Sequence, residues 1–168
     1  IQRLFGGNNA SGNISGSITV NVDWDTDNPC GYNYLGTVYG GGNQAAYSPT
    51  TVGSYPAVNI KNGTVSGSVF GGGLGSTAVV TSNPVVKMTG GQAANVYGGG
   101  MQADVNGNTT VSIEGGTVTT DVYGGGMQGD VSGNVTVNIS KEGTPGSVVI
   151  GRDVYGGGAL ANTNTGNI

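Results

Sequence analysis

Histidine is missing from this chain, and cysteine is nearly so, with Cys30 alone among 168 residues. Without histidine, acid–base catalysis near neutral pH loses its commonest carrier. One thiol cannot make an internal bridge, so a disulfide framework is excluded and any partner of Cys30 lies outside this segment. Charge is also scarce: charged residues make up 8%, with five Lys plus Arg against nine Asp plus Glu and a net charge of −4. No basic surface is available to neutralise phosphates, so nucleic-acid binding is not expected. Basic amphipathic membrane helices are excluded for the same reason. No apolar run approaches the length of a membrane span, so no membrane insertion is expected in this segment. No window places apolar residues at i, i+3, i+4 and i+7, so helices are not expected. A nucleophile elbow and a phosphate loop are likewise missing. The chain begins at Ile1, without methionine or signal peptide, and reads as a processed or excised piece of something longer.

Glycine is the abundant residue, with 36 copies. A chain so rich in glycine is either disordered or built on a plan that needs glycine at fixed places. Regular spacing decides for the second. An aliphatic residue, an aromatic and then glycines recur six times, with the aromatics at Phe5, Tyr39, Phe70, Tyr97, Tyr123 and Tyr155. Successive aromatics lie 34, 31, 27, 26 and 32 residues apart, which divides the chain into repeats 4–37, 38–68, 69–95, 96–121, 122–153 and 154–168. A β-prone run with period-two alternation follows each of the first five. Its apolar pairs are Val20/Val22, Val58/Ile60, Val86/Met88, Val111/Ile113 and Val137/Ile139, expected to face a core. Its polar members, Asn21, Asn59, Lys87, Ser112 and Asn138, are expected to face water.

A single unit of this size cannot bury its apolar face, whereas stacked units make a continuous core. The expectation is therefore an all-β parallel β-helix (β-solenoid) of about six rungs, with loop insertions in the first two repeats. Equivalent residues sit one above another about 4.8 Å apart, forming valine, asparagine and aromatic ladders. Parallel crossovers are overwhelmingly right-handed, so a right-handed coil is expected. Glycines at the corners supply positive φ or close backbone approach. A β-propeller needs longer blades than these repeats provide.

The stretch from Asp121-Val122-Tyr123-Gly124-Gly125-Gly126 through Gly129-Asp130-Val131-Ser132-Gly133-Asn134-Val135-Thr136-Val137 resembles a known glycine-rich repeat. It is similar to the VYGGG/GDVxGNTxV repeats of adhesin-like secreted or surface proteins of anaerobic Gram-negative bacteria. The resemblance covers nearly the whole chain and is closest over residues 96–160. It implies an extracellular or bacterial cell-surface β-helical module, without a known activity.

Several residues stand as candidate sites. Asp23, Asp25 and Asp27 have the alternating spacing that opens many calcium loops, although Asn28 and Tyr34 break the pattern afterwards. Calcium is the one cofactor suggested; the plainer reading is a solvent-facing row. Asp104 with Asp130, and Asp121 with Asp153, occupy matching places in adjacent repeats. Stacked carboxylates repel unless something bridges or screens them. The insertions hold Trp24, Tyr32, Tyr34, Tyr47 and Tyr55, which could contact glycans or a host surface or instead cover the first two rungs. The six repeat aromatics read as a structural ladder in preference to a sugar platform.

Catalytic residues are expected to be none. Carboxylates or an arginine with calcium could serve a polysaccharide-acting β-helix, but Arg3 and Arg152 lie far apart along the axis. Residues 1–5 align with 151–155, and 165–168 with 132–135, so neither end looks capped. Continuation into further repeats, or end-to-end stacking into filaments, would cover such ends. The function expected is a structural or adhesive module, with glycan binding as the alternative.

Overall fold

A computed structural model of the chain describes residues 1–24, 35–140 and 147–163. These residues hold eleven strands and no helix, and every ladder among them is parallel. The fold is a parallel β-solenoid. Strand β1 (Arg3–Phe5) pairs with β3 (Thr37–Tyr39), which pairs with β5 (Thr64–Phe70). That face continues through the end of β6 (Val85–Tyr97) to β8 (Val122–Tyr123) and β11 (Val154–Tyr155). A second face runs from β2 (Ile18–Val22) through β4 (Pro56–Ile60), the start of β6 and β7 (Thr109–Val118) to β9 (Val135–Ile139). A third joins Val65, Ala93, Val118 and, in β10 (Val148–Ile150), Ile150.

Register is strict. Val20, Val58, Val86, Val111 and Val137 pair in sequence up the second face, as do Val22, Ile60, Met88, Ile113 and Ile139. The longer repeats are taken up by loops outside these ladders. From Val20 to Ile113 the inward residues are buried, most of them completely. The outermost pair departs from expectation: Val137 is half-buried and Ile139 is 43% exposed. Strand β9 pairs only with β7, so among the described residues no strand covers its other edge.

Each repeat after the first also contributes a further inward residue that the strand pattern does not announce. Tyr47, Val80, Val105, Val131 and Thr163 form a column of single bridges. The first four are buried. In repeat 96–121 the core is thus Val96, Val105, Val111, Ile113 and Val118, one cluster with their counterparts above and below.

Glycine serves two different corners. After the aromatic, positive φ is not used. There, Gly41, Gly72, Gly99 and Gly125 each donate their amide to the next repeat's glycine at 3.0–3.1 Å. A Cβ on Gly99 would lie 2.7 Å from the amide nitrogen of Gly126. Close backbone approach therefore excludes every larger residue here. At the turn after the second face, Gly63, Gly91 and Gly116 adopt φ of 90°, 70° and 89°, the left-handed region that L side chains avoid.

These corners differ in a testable way from a glycine with open space at its Cβ position. Gly99→Ala should cost about 1–3 kcal/mol through forced backbone displacement. Gly16→Ala should be neutral or stabilising by about 0.4–1 kcal/mol, because a Cβ on Gly16 meets nothing within 4 Å. Urea midpoints of the two variants should therefore move in different directions, or at least by clearly different amounts.

Candidate functional site

The six repeat aromatics form an unbroken stack. Ring centroids are 4.9, 5.1, 4.7, 4.8 and 5.0 Å apart from Phe5 to Tyr155, and neighbouring planes agree within 10°. Parallel in-register strands force this spacing, since each ring sits on the same pleat of its strand. Leu74, Met101, Met127 and Ala159 pack against the column from outside. Tyr39, Phe70 and Tyr97 are consequently buried, so the middle of the stack offers no face to a sugar. Burial pushes the phenol pKa of Tyr97 up.

The repeated carboxylates and amides turn out to be inter-repeat caps. Asp104 Oδ1 accepts the backbone amide of Asp130 at 2.8 Å, and Asp130 Oδ1 accepts that of Asn162 at 2.7 Å. Asn83 and Asn108 do the same for Asn108 and Asn134, both at 2.8 Å. A third column runs from Asn95 to Asp121 at 3.3 Å and from Asp121 to Asp153 at 3.1 Å. Asp104, Asp121 and Asp130 therefore each meet an N–H of the next repeat where repulsion was anticipated. Amide ladders join the second face and the glycine corner, with Asn59 Nδ2 donating to Asn21 Oδ1 at 2.9 Å and Asn43 Nδ2 to Asn9 Oδ1 at 2.8 Å.

Asp121 is the one carboxylate buried among the described residues, at 3% exposure. The guanidinium of Arg152 pairs with its Oδ2, and the amide of Asp153 donates to its Oδ1. Arg152 is first among the causes that hold the Asp121 carboxyl below the ordinary aspartate range; burial opposes it and the backbone amide assists. Asp130 is lowered too, chiefly by the backbone amide of Asn162.

The inserted aromatics are not brought together into one surface. Tyr47 is a correction: it is 1% exposed, and its hydroxyl donates to the carbonyl of Gly16 at 2.7 Å. It takes the core position held by valine in the following repeats, so it cannot contact a ligand. Trp24 is half-buried against the core, with its indole over Gly63, whose Cβ position lies 2.6 Å from the ring. Its carbonyl accepts from Asn62 Nδ2 at 2.9 Å, so Trp24 acts as a cover. Tyr55 is 41% exposed at the end of a loop. Tyr32, Tyr34, Cys30, Asp25 and Asp27 lie outside the described residues. Asp23, the one described member of the aspartate row, faces the ammonium of Lys61 at 3.3 Å. Among the described residues no three metal-ligating side chains gather.

Two features escaped the sequence reading. The Arg152–Asp121 pair joins residues 31 apart, and Arg152 has no counterpart in the other repeats. Thr109, fully buried, donates its hydroxyl to the carbonyl of Gly124 at 2.7 Å, tying the second face to the glycine corner. A residue count could have found the position of Tyr47: it lies eight after Tyr39, as Val105 does after Tyr97 and Val131 after Tyr123.

Asp121 generates a pH prediction. Its folded-state pKa is depressed, so its stabilising contribution is complete above the ordinary value of 3.8 and is lost as pH falls through the lower folded value. Urea midpoints measured from neutral pH into acid should fall below that value in the native chain. In Asp121→Asn the acid fall should be shallower, with Asp130 supplying what remains. Parallel profiles for the two proteins would show that Asp121 carries no such linkage. Compared with known proteins, the chain matches no family model, no curated protein and no solved structure.

Proposed function

We propose that this chain is a non-enzymatic structural and adhesive module of an extracellular or bacterial cell-surface protein. In this reading it is a right-handed solenoid of six coils that serves as a stalk or fibre segment. The observation that carries the reading is axial continuity. Aromatic, aliphatic and Asx columns run through the described repeats, with contacts directed along one axis. Each repeat touches chiefly its neighbours, so length is set by repeat number and stiffness by stacking. The resemblance to adhesin-like surface repeats supports the location.

One column supports axial association between copies. The residue before each aliphatic–aromatic pair is Arg3, Thr37, Ser68, Asn95, Asp121 and Asp153 in turn. In-register addition of a second copy would bring the Arg3 guanidinium over the Asp153 carboxylate. The outermost strands also leave Val154 and Tyr155 each 45% exposed. Such head-to-tail contact is heterologous and open, so one interface suffices to propagate it.

Electron micrographs of the purified chain test this. Rods that lengthen with protein concentration are expected, shortened by Arg3→Asp and restored by combining Arg3→Asp with Asp153→Arg. Round particles at every concentration would contradict the fibre reading. Depolymerisation of a polysaccharide, abolished by a single Asp→Asn change, would replace it with an enzymatic one.

A further inference from the structure

The largest insertion at the second corner builds a cleft that the axial role does not use. Between Tyr47 and β4 the chain spends residues 48–55, where later repeats use three or four. The loop is pinned rather than free. Thr51 donates its amide to the carbonyl of Ser15 at 2.9 Å, which ties the loop to the repeat before it. Ser54 donates to the carbonyl of Thr51 at 3.2 Å, closing a tight turn with Gly53 at φ 79°. At its end, the carbonyl of Tyr55 accepts from the amide of Ile18 at 3.2 Å.

Residues 49–55 thus form one wall, and Thr81, Ser82 and Asn83 of the following repeat form the other. The space between them is about 290 Å³, near the small end of the roughly 300–1,000 Å³ typical of ligand pockets. Among the described residues no carboxylate, ammonium or guanidinium lines it, so these residues select neither an anion nor a cation. The lining supplies hydroxyls from Thr50, Thr51, Ser54 and Thr81, with the exposed ring of Tyr55 beside them. Ser82 Oγ is enclosed and lies out of a ligand's reach.

The geometry points to a binding site for a neutral saccharide unit in this cleft. The Tyr55 ring would meet the apolar face of a pyranose, while the hydroxyl wall exchanges hydrogen bonds with its hydroxyls. An aromatic body next to neutral donors and acceptors suits a ligand that is apolar on one face and polyhydroxylated at its rim. The site is built by the fold itself, because the turn and the Ser15 contact hold the loop in place before any ligand arrives. It goes beyond the stalk role, and its failure would leave that role untouched.

Amide chemical shifts of the isotope-labelled chain test this. They would be followed during titration with methyl glucoside, galactoside, mannoside and N-acetylglucosaminide, and with glucose 6-phosphate as the charged comparison. Saturable shifts confined to residues 50–55 and 81–83 are expected for at least one neutral glycoside. Affinity should fall about tenfold or more in Tyr55→Ala. Tyr55 is exposed, so its replacement should leave the aromatic stack and the melting curve unchanged. No saturable shift with any neutral glycoside would overturn the proposal. So would binding that survives Tyr55→Ala, or a preference for the phosphorylated sugar.

Discussion

Hydrogen bonding between identical backbone positions of successive repeats dictates nearly everything else in this molecule. Parallel strands in strict register place each residue about one strand spacing from its counterpart. A side chain at a given position must therefore tolerate a copy of itself, or a near relative, above and below. Valine satisfies this by packing, asparagine by amide-to-carbonyl bonding, and aromatic rings by stacking at 4.7–5.1 Å. A charged residue satisfies it only with help, which explains why so few are present. Lys87 turns to Glu114 at 2.8 Å and Asp121 to Arg152, and the other stacked acids bond backbone amides.

The same constraint explains the glycine content. Where the chain bends after the aromatic, backbones of adjacent repeats approach so closely that a Cβ would overlap the next repeat's main chain. The entropy lost by ordering these glycines is offset by amide bonds along the corner and by the core they allow to close. Because stabilisation runs along the axis, the described structure has its weakest burial at the outermost strands, where Ile139, Val149 and Tyr155 are 43–45% exposed. Some loops, in contrast, leave the axis. The loop over residues 49–55 is the best-defined of these among the described residues.

Much of the fold was legible in the sequence because its signal is repetition. The spacing of Tyr97 and Tyr123 and the alternation in Thr110-Val111-Ser112-Ile113 both translate directly into ladders. Val80, Val105 and Val131 were harder to read. Each is a lone apolar residue between polar turn residues, and no alternation marks it as inward. Tyr47 was misplaced for the same reason, since it stands beside an aromatic insertion while its count from Tyr39 places it in that column. The role of the repeated aspartates depends on which backbone amide lies across the gap, and composition carries no trace of that.

One measurement addresses axial stacking most directly. In a Cys30→Ser background, Ser112→Cys with Asn138→Cys puts two thiols on paired positions of β7 and β9. Asn59→Cys with Ser112→Cys puts them two spacings apart in the same column. A disulfide needs Cα atoms roughly 4.4–6.8 Å apart. Stacking in this register requires the first pair to oxidise within the monomer and the second to stay reduced. Equal oxidation of both pairs, or of neither, would contradict it.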